Sequence, residues 1–177
     1  MQNMDVQINS NGPINLLALG VSQKASHQVQ TIRQALWQAS GHISFLSLPP
    51  MIPLMWSERY FTPFEQVTLP RLSKNTTFSH LIEVENNLFL GTEDRVWLAT
   101  IEELLAHYSA IQPVIIPFPA YQGIYVGVNQ DSMGEKVAPV TTDDWRLLYF
   151  SVTWETDEKQ LVSLRYTVTS DHHLLSL

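Results

Sequence analysis

The sequence predicts an α+β domain with a mostly antiparallel sheet and two main helices. Three observations carry this. The chain opens as strand, helix, strand. A long amphipathic helix begins just past its midpoint. The C-terminal part alternates apolar and polar residues over two extended runs.

Residues 1–13 are polar, contain Asn-Gly-Pro, and read as a flexible arm. Residues 14–177 then form one domain, the natural count for a chain of 177 residues. Ile14 to Val21 (INLLALGV) is a short apolar run, expected as a buried strand. Ser26 is placed to cap a helix from His27, with Val29, Ile32, Leu36 and Ala39 at helical spacing and Gly41 past its end. The run from His42 (HISFLSL) reads as the second strand, broken by Pro49, Pro50 and Pro53.

Met51 to Phe64 is apolar yet irregular, and Phe64 to Leu69 is strand-like. Thr76 to Glu85 and Leu88 to Gly91 flank Asn86-Asn87 as a hairpin or bulged pair. Trp97, Ile101, Leu104, Leu105, Tyr108 and Ile111 form one helical face, with Glu93 and Asp94 suited to its first turn and Pro113 ending it. Val114 to Ile116 and Gly123 to Val128 read as strands, and Asn129 to Asp144 as a polar loop. In the last hairpin, Leu148, Phe150, Val152 and Trp154 share a face, as do Val162, Leu164, Tyr166 and Val168, giving one dry side.

Composition excludes several functions. No cysteine is present, so disulfides, thiolate zinc sites and a cysteine nucleophile are excluded. Seventeen acidic residues against ten basic ones leave a net charge of −7, which argues against an extended nucleic-acid footprint. No apolar run is long enough for a membrane helix, and no signal peptide is visible, so a cytoplasmic location is expected. Walker loops, dinucleotide fingerprints, nucleophile elbows and zincin motifs are absent. No metal or other cofactor is implied.

The stretch that suggests chemistry is His42-Ile43-Ser44-Phe45. Two residues apart on a strand, His42 and Ser44 project to one face. Imidazole moves protons near neutral pH and a hydroxyl holds a phosphate oxygen. Six histidines give about one H-x-[ST] match by chance. Two occur; the second, His107-Tyr108-Ser109, falls within the predicted long helix.

The order of elements, with HISF after the first helix, resembles the 2H phosphoesterase superfamily, which includes the 2′-5′ RNA ligase-like proteins. The likeness spans roughly residues 14–170. It implies a bilobal arrangement, two H-x-[ST] motifs and metal-independent cleavage or transfer at a cyclic or 2′-5′ phosphodiester. His42 and Ser44 would be the catalytic pair, and a small phosphodiester or nucleotide the ligand. The chain departs from the pattern after PFPAYQ, where Gly123 takes the place of the second histidine and Tyr125 that of its hydroxyl partner. A glycine moves no proton. The resemblance therefore also implies impaired catalysis, or a non-catalytic relative that binds a ligand or a protein.

Other residues admit two readings each. Tyr121 and Tyr125 either line a ligand pocket or pack as strand aromatics. His42 opens a strand or serves a site. Asp171-His172-His173 is a solvated tail or a metal motif, and His80 a structural residue or a ligand. Arg59, Arg71 and Lys74 are surface charges or an anion site. The Pro-, Met- and Trp-rich stretch Leu48 to Phe61 either caps the core or offers an apolar surface for self-association.

Overall fold

Eight residues without a charge, Ile14–Val21, form β1. The computed structural model describes residues 13–41, 48–60, 72, 75–84, 87–111, 116–117, 123–128, 137–157 and 160–174. β1 is buried along nearly its whole length because it lies inside a five-stranded sheet. Its neighbours are β2 (Met51–Ser57) and β9 (Trp145–Asp157), both antiparallel. β10 (Gln160–Leu174) extends the sheet beyond β9, and the short β6 (Ile116–Pro117) extends it beyond β2.

Helix α1 (Gln23–Ser40) connects β1 to β2. Ser22, not Ser26, caps it: the Ser22 hydroxyl accepts from the Ala25 N–H at 3.3 Å, and the Ser22 N–H donates to Thr142 Oγ1 at 2.9 Å. The helix thus starts four residues before the spacing suggested, because the cap is a tertiary contact as well as a local one. Gly41 ends it as expected, at φ +77°, with its N–H on the Trp37 carbonyl at 2.7 Å. Ala25, Val29 and Leu36 are buried, whereas Ala39 is exposed.

The strand expected from His42 lies, through residue 47, outside the described residues. The stretch from Met51 read as irregular is a buried inner strand. Pro53 sits inside it rather than ending it. The register slips there: Leu17 faces Met55 while Ala18 faces Pro53, so Leu54 is an extra residue on β2. A bulge tolerates a residue without an N–H, which reconciles the proline with an inner strand. Met51–Ser57 therefore offers no open apolar surface, and the self-association expected through Leu48 to Phe61 has no support along these residues. Phe61 itself lies outside the described residues.

β3 (Thr76–Phe78) pairs with β8 (Val140–Thr142), a strand inside the region read as a polar loop. Its three residues are too few to carry a periodic signal. β4 (His80–Val84), β5 (Asn87–Gly91) and β7 (Gly123–Val128) make a second antiparallel sheet, with the β4–β5 hairpin where the sequence placed it. Helix α2 (Arg95–Ile111) follows β5. Asp94 caps it instead of lying in its first turn, its Oδ1 accepting from Val96 N–H at 3.1 Å and Trp97 N–H at 3.0 Å.

One apolar cluster joins both helices with strands of every sheet. At its centre Trp97 of α2 stacks on Trp145 of β9, centroids 5.6 Å apart, and Phe78 of β3 meets both edge-on. A smaller cluster lies on the opposite face of the main sheet, around Leu16, Ala18, Phe150 and Val152. β9 therefore has two dry faces, not one: Trp145, Leu147 and Tyr149 are buried on the side that alternation left polar-facing. On β10, Tyr166 and Val168 are 42% and 46% exposed, so the expected dry face thins towards that edge.

Tyr108, buried within α2, has its phenol pushed up to about 12 by burial. The neutral phenol is the favoured form in the fold. Its contribution is full below the unfolded value near 10 and is lost as pH rises through 12. In denaturant titrations between pH 10 and 12, Tyr108→Phe should lose about 2 kcal/mol less stability than the parent chain.

Candidate functional site

The expected site residues fall unevenly on the structure. His42, Ser44 and Tyr121 lie outside the described residues, as do Arg71 and Lys74. Gly123 and Tyr125 are on β7, in the sheet formed with β4 and β5. His80 is half-buried on β4, opposite Gly91, and His107 is exposed on α2. Arg59 is exposed just past β2, its N–H on Ser57 Oγ at 3.0 Å. Among the described residues no group of His, Asp and Glu is arranged to hold a metal. Nor, among these residues, is any helix long and apolar enough to cross a membrane.

Gly123 is held in a tight approach between strands. It pairs with Gly91 across the ladder, and a Cβ built on it would lie 2.8 Å from the Leu90 carbonyl oxygen and 3.0 Å from Phe89 Cβ. The nearest of these is backbone, so no rotamer change relieves the contact. Position 123 has no room for a side chain of any kind. The absence of a second histidine there is a steric property of the β5–β7 pair as well as a matter of sequence.

Tyr125, two residues on, is half-buried. Its ring meets Phe89 edge-on at 5.6 Å between centroids. On its other contact lies a residue that sequence reasoning missed. Arg33 of α1 is fully buried, at 0% exposure. Its guanidinium carbon stands 5.7 Å from the Tyr125 ring centroid, within cation–π range. Arg33 Nη2 donates to the Tyr125 carbonyl at 2.5 Å and to the Pro49 carbonyl at 3.4 Å, and Nη1 donates to the Leu48 carbonyl. One side chain thus ties α1, the segment entering β2, and β7.

The electrostatics of this group are unusual. Burial pulls the guanidinium down to about 10, and the charged or polarisable neighbours that oppose this are Tyr125 and Tyr166, both phenols. In turn, burial pushes the Tyr125 phenol up, with Arg33 pulling it the other way. The three acceptors are neutral carbonyls. Arg33 Nε is buried with no hydrogen-bond partner. A signal for Arg33 existed in the sequence: it lies four residues after Val29 and three before Leu36, a charge on the apolar stripe of the helix.

Compared with protein-family models, curated proteins and solved structures, the chain matches none of them.

Replacing Gly123 by Ala should destabilise the protein by about 2 kcal/mol or more, since backbone must move to admit one methyl. The check is chemical denaturation. A Gly123→Ala protein as stable as the parent would contradict the tight β5–β7 approach.

Proposed function

We propose that this chain binds a small phosphodiester or nucleotide without hydrolysing it, as a non-catalytic relative of the 2H phosphoesterases. The observation that carries the reading is the crowding at Gly123, where Leu90 leaves no space for a second proton-transfer side chain. Hydrolysis of a cyclic phosphodiester needs one group to activate water and another to protonate the leaving oxygen. With position 123 closed, His42 and Ser44 make at most half of that machinery. Half a site still binds: an imidazole and a hydroxyl suffice to hold phosphate oxygens.

Purified protein with 2′,3′-cyclic AMP tests the reading, with calorimetry for binding and phosphorus NMR for turnover. Binding without product is expected, and His42→Ala should weaken binding about tenfold, the loss of one charge-assisted contact. Turnover that disappears in His42→Ala would show an enzyme and overturn the non-catalytic reading.

A further inference from the structure

The C-terminal ribbon ends the main sheet in an open edge. Among the described residues β10 pairs with β9 alone, and no strand meets its other side. Four successive residues, Tyr166 to Thr169, are exposed, on both faces of the strand. Protein edges are commonly blunted by charge, proline or a bulge. β10 has bulges at Val162 and Thr169, each the extra residue against β9. Between them Ser163 to Val168 keeps a regular register. Residues 166–170 (YTVTS) carry no charge and no proline, in a chain with a net charge of −7.

Tyr166 and Val168 lie on the face of the smaller apolar cluster, opposite Val152 and Phe150. The Tyr166 ring meets Phe150 edge-on at 5.8 Å between centroids. The cluster therefore runs out to the edge of the sheet and stops there, with Tyr166 and Val168 still half in solvent. Thr167, opposite Ser151, lies on the other face. The edge combines open backbone, β-forming side chains and an apolar stripe cut off at its boundary.

We infer that the β10 edge pairs with the same edge of a second copy of this chain, antiparallel, about a two-fold axis at Thr167. The strand's own sequence selects this occupant. Opposed residues of an antiparallel pair share a face, so the axis falls at a residue and not between two. With the axis at Thr167, Tyr166 faces the second copy's Val168, Val168 faces the second copy's Tyr166, and Thr167 faces Thr167. Aromatic–β-branched and Thr–Thr pairs are favoured cross-strand combinations. Arg165 then faces the uncharged Thr169. With the axis at Arg165, two guanidinium groups would oppose each other, which is destabilising. In the Thr167 register the apolar stripes of the two copies join, and each covers the Tyr166 and Val168 of the other. The pairing is isologous and uses the β10 edge of both copies, so it closes at a dimer.

The test is sedimentation velocity on the full chain. At about 100 μM it should run as a dimer and at about 1 μM as a monomer, the range of a small specific interface. A parent chain that stays monomeric at the higher concentration overturns the inference. Thr167→Lys sets two ammonium groups together at the axis and should weaken dimerisation about tenfold or more. Thr167 is exposed, so this variant should melt like the parent at low concentration. Thr167→Lys that dimerises as well as the parent overturns the inference. The chain lacks cysteine, so single-cysteine variants report the register without background. Oxidised Thr167→Cys should cross-link to itself, because opposed residues lie about 4.5–5.5 Å apart. Tyr166→Cys should not, because its counterpart is a diagonal neighbour about 7–8 Å away. Cross-linking of Tyr166→Cys in preference to Thr167→Cys overturns the axis at Thr167.

Discussion

The fold depends on β1 being buried on both faces. Leu17, Leu19 and Val21 point into the large cluster shared with α1, α2 and β9, while Leu16 and Ala18 point into the smaller one with Phe150 and Val152. Full burial of each large aliphatic side chain contributes roughly 1.5–3 kcal/mol, so this one strand holds a large share of the apolar stabilisation. Because both faces are committed, its register cannot slip by a residue without exchanging the two cores. β2 and β9 inherit their positions from it. The bulge opposite Leu17 and Ala18, which lets Pro53 sit in an inner strand, is the accommodation β2 makes to that fixed register.

Around this apolar frame, individual polar contacts fasten particular elements together. Ser22 and Thr142 fasten the start of α1 to β8, and Thr92 joins β3 to the entry of α2 through a 2.7 Å bond to the Thr77 carbonyl. Arg33 fastens the middle of α1 to both residue 48–49 backbone and β7. The first two are neutral hydroxyl contacts of ordinary cost. The third buries a cation whose described acceptors are backbone carbonyls, a contact of higher desolvation cost. Gly123 and Tyr125 lie on the same strand, so the position closed to catalysis and the contact of the buried cation are two residues apart.

Periodicity was informative where elements are long. β1, the α2 stripe from Trp97 to Tyr108 and the β4–β5 hairpin stand where their patterns put them, because each presents several apolar residues at a constant interval. It was uninformative for β8, whose three residues are shorter than any pattern, and misleading for β2, whose proline is rescued by a bulge invisible in sequence. For β9, alternation identified the strand but not the second dry face, since Trp145 and Tyr149 read as amphipathic and become core only when α2 and β3 cover them. As for the candidate site, His42, Ser44 and Tyr121 fall outside the described residues, Tyr125 is a packed aromatic touching a buried cation, and Arg33 was hidden within a helix stripe.

By itself the sequence determined the class: an α+β chain with mostly antiparallel strands and two helices, an antiparallel C-terminal hairpin, no cysteine and a net negative charge. Those follow from local periodicity and composition, which do not depend on what packs against what. Only the tertiary structure decided that position 123 excludes a side chain and that Arg33 is fully buried, tied to backbone carbonyls. Both are facts about separation between elements distant in sequence: Leu90 against Gly123, and α1 against residue 48 and Tyr125. Steric closure and desolvation are set by such distances, and no single segment contains them.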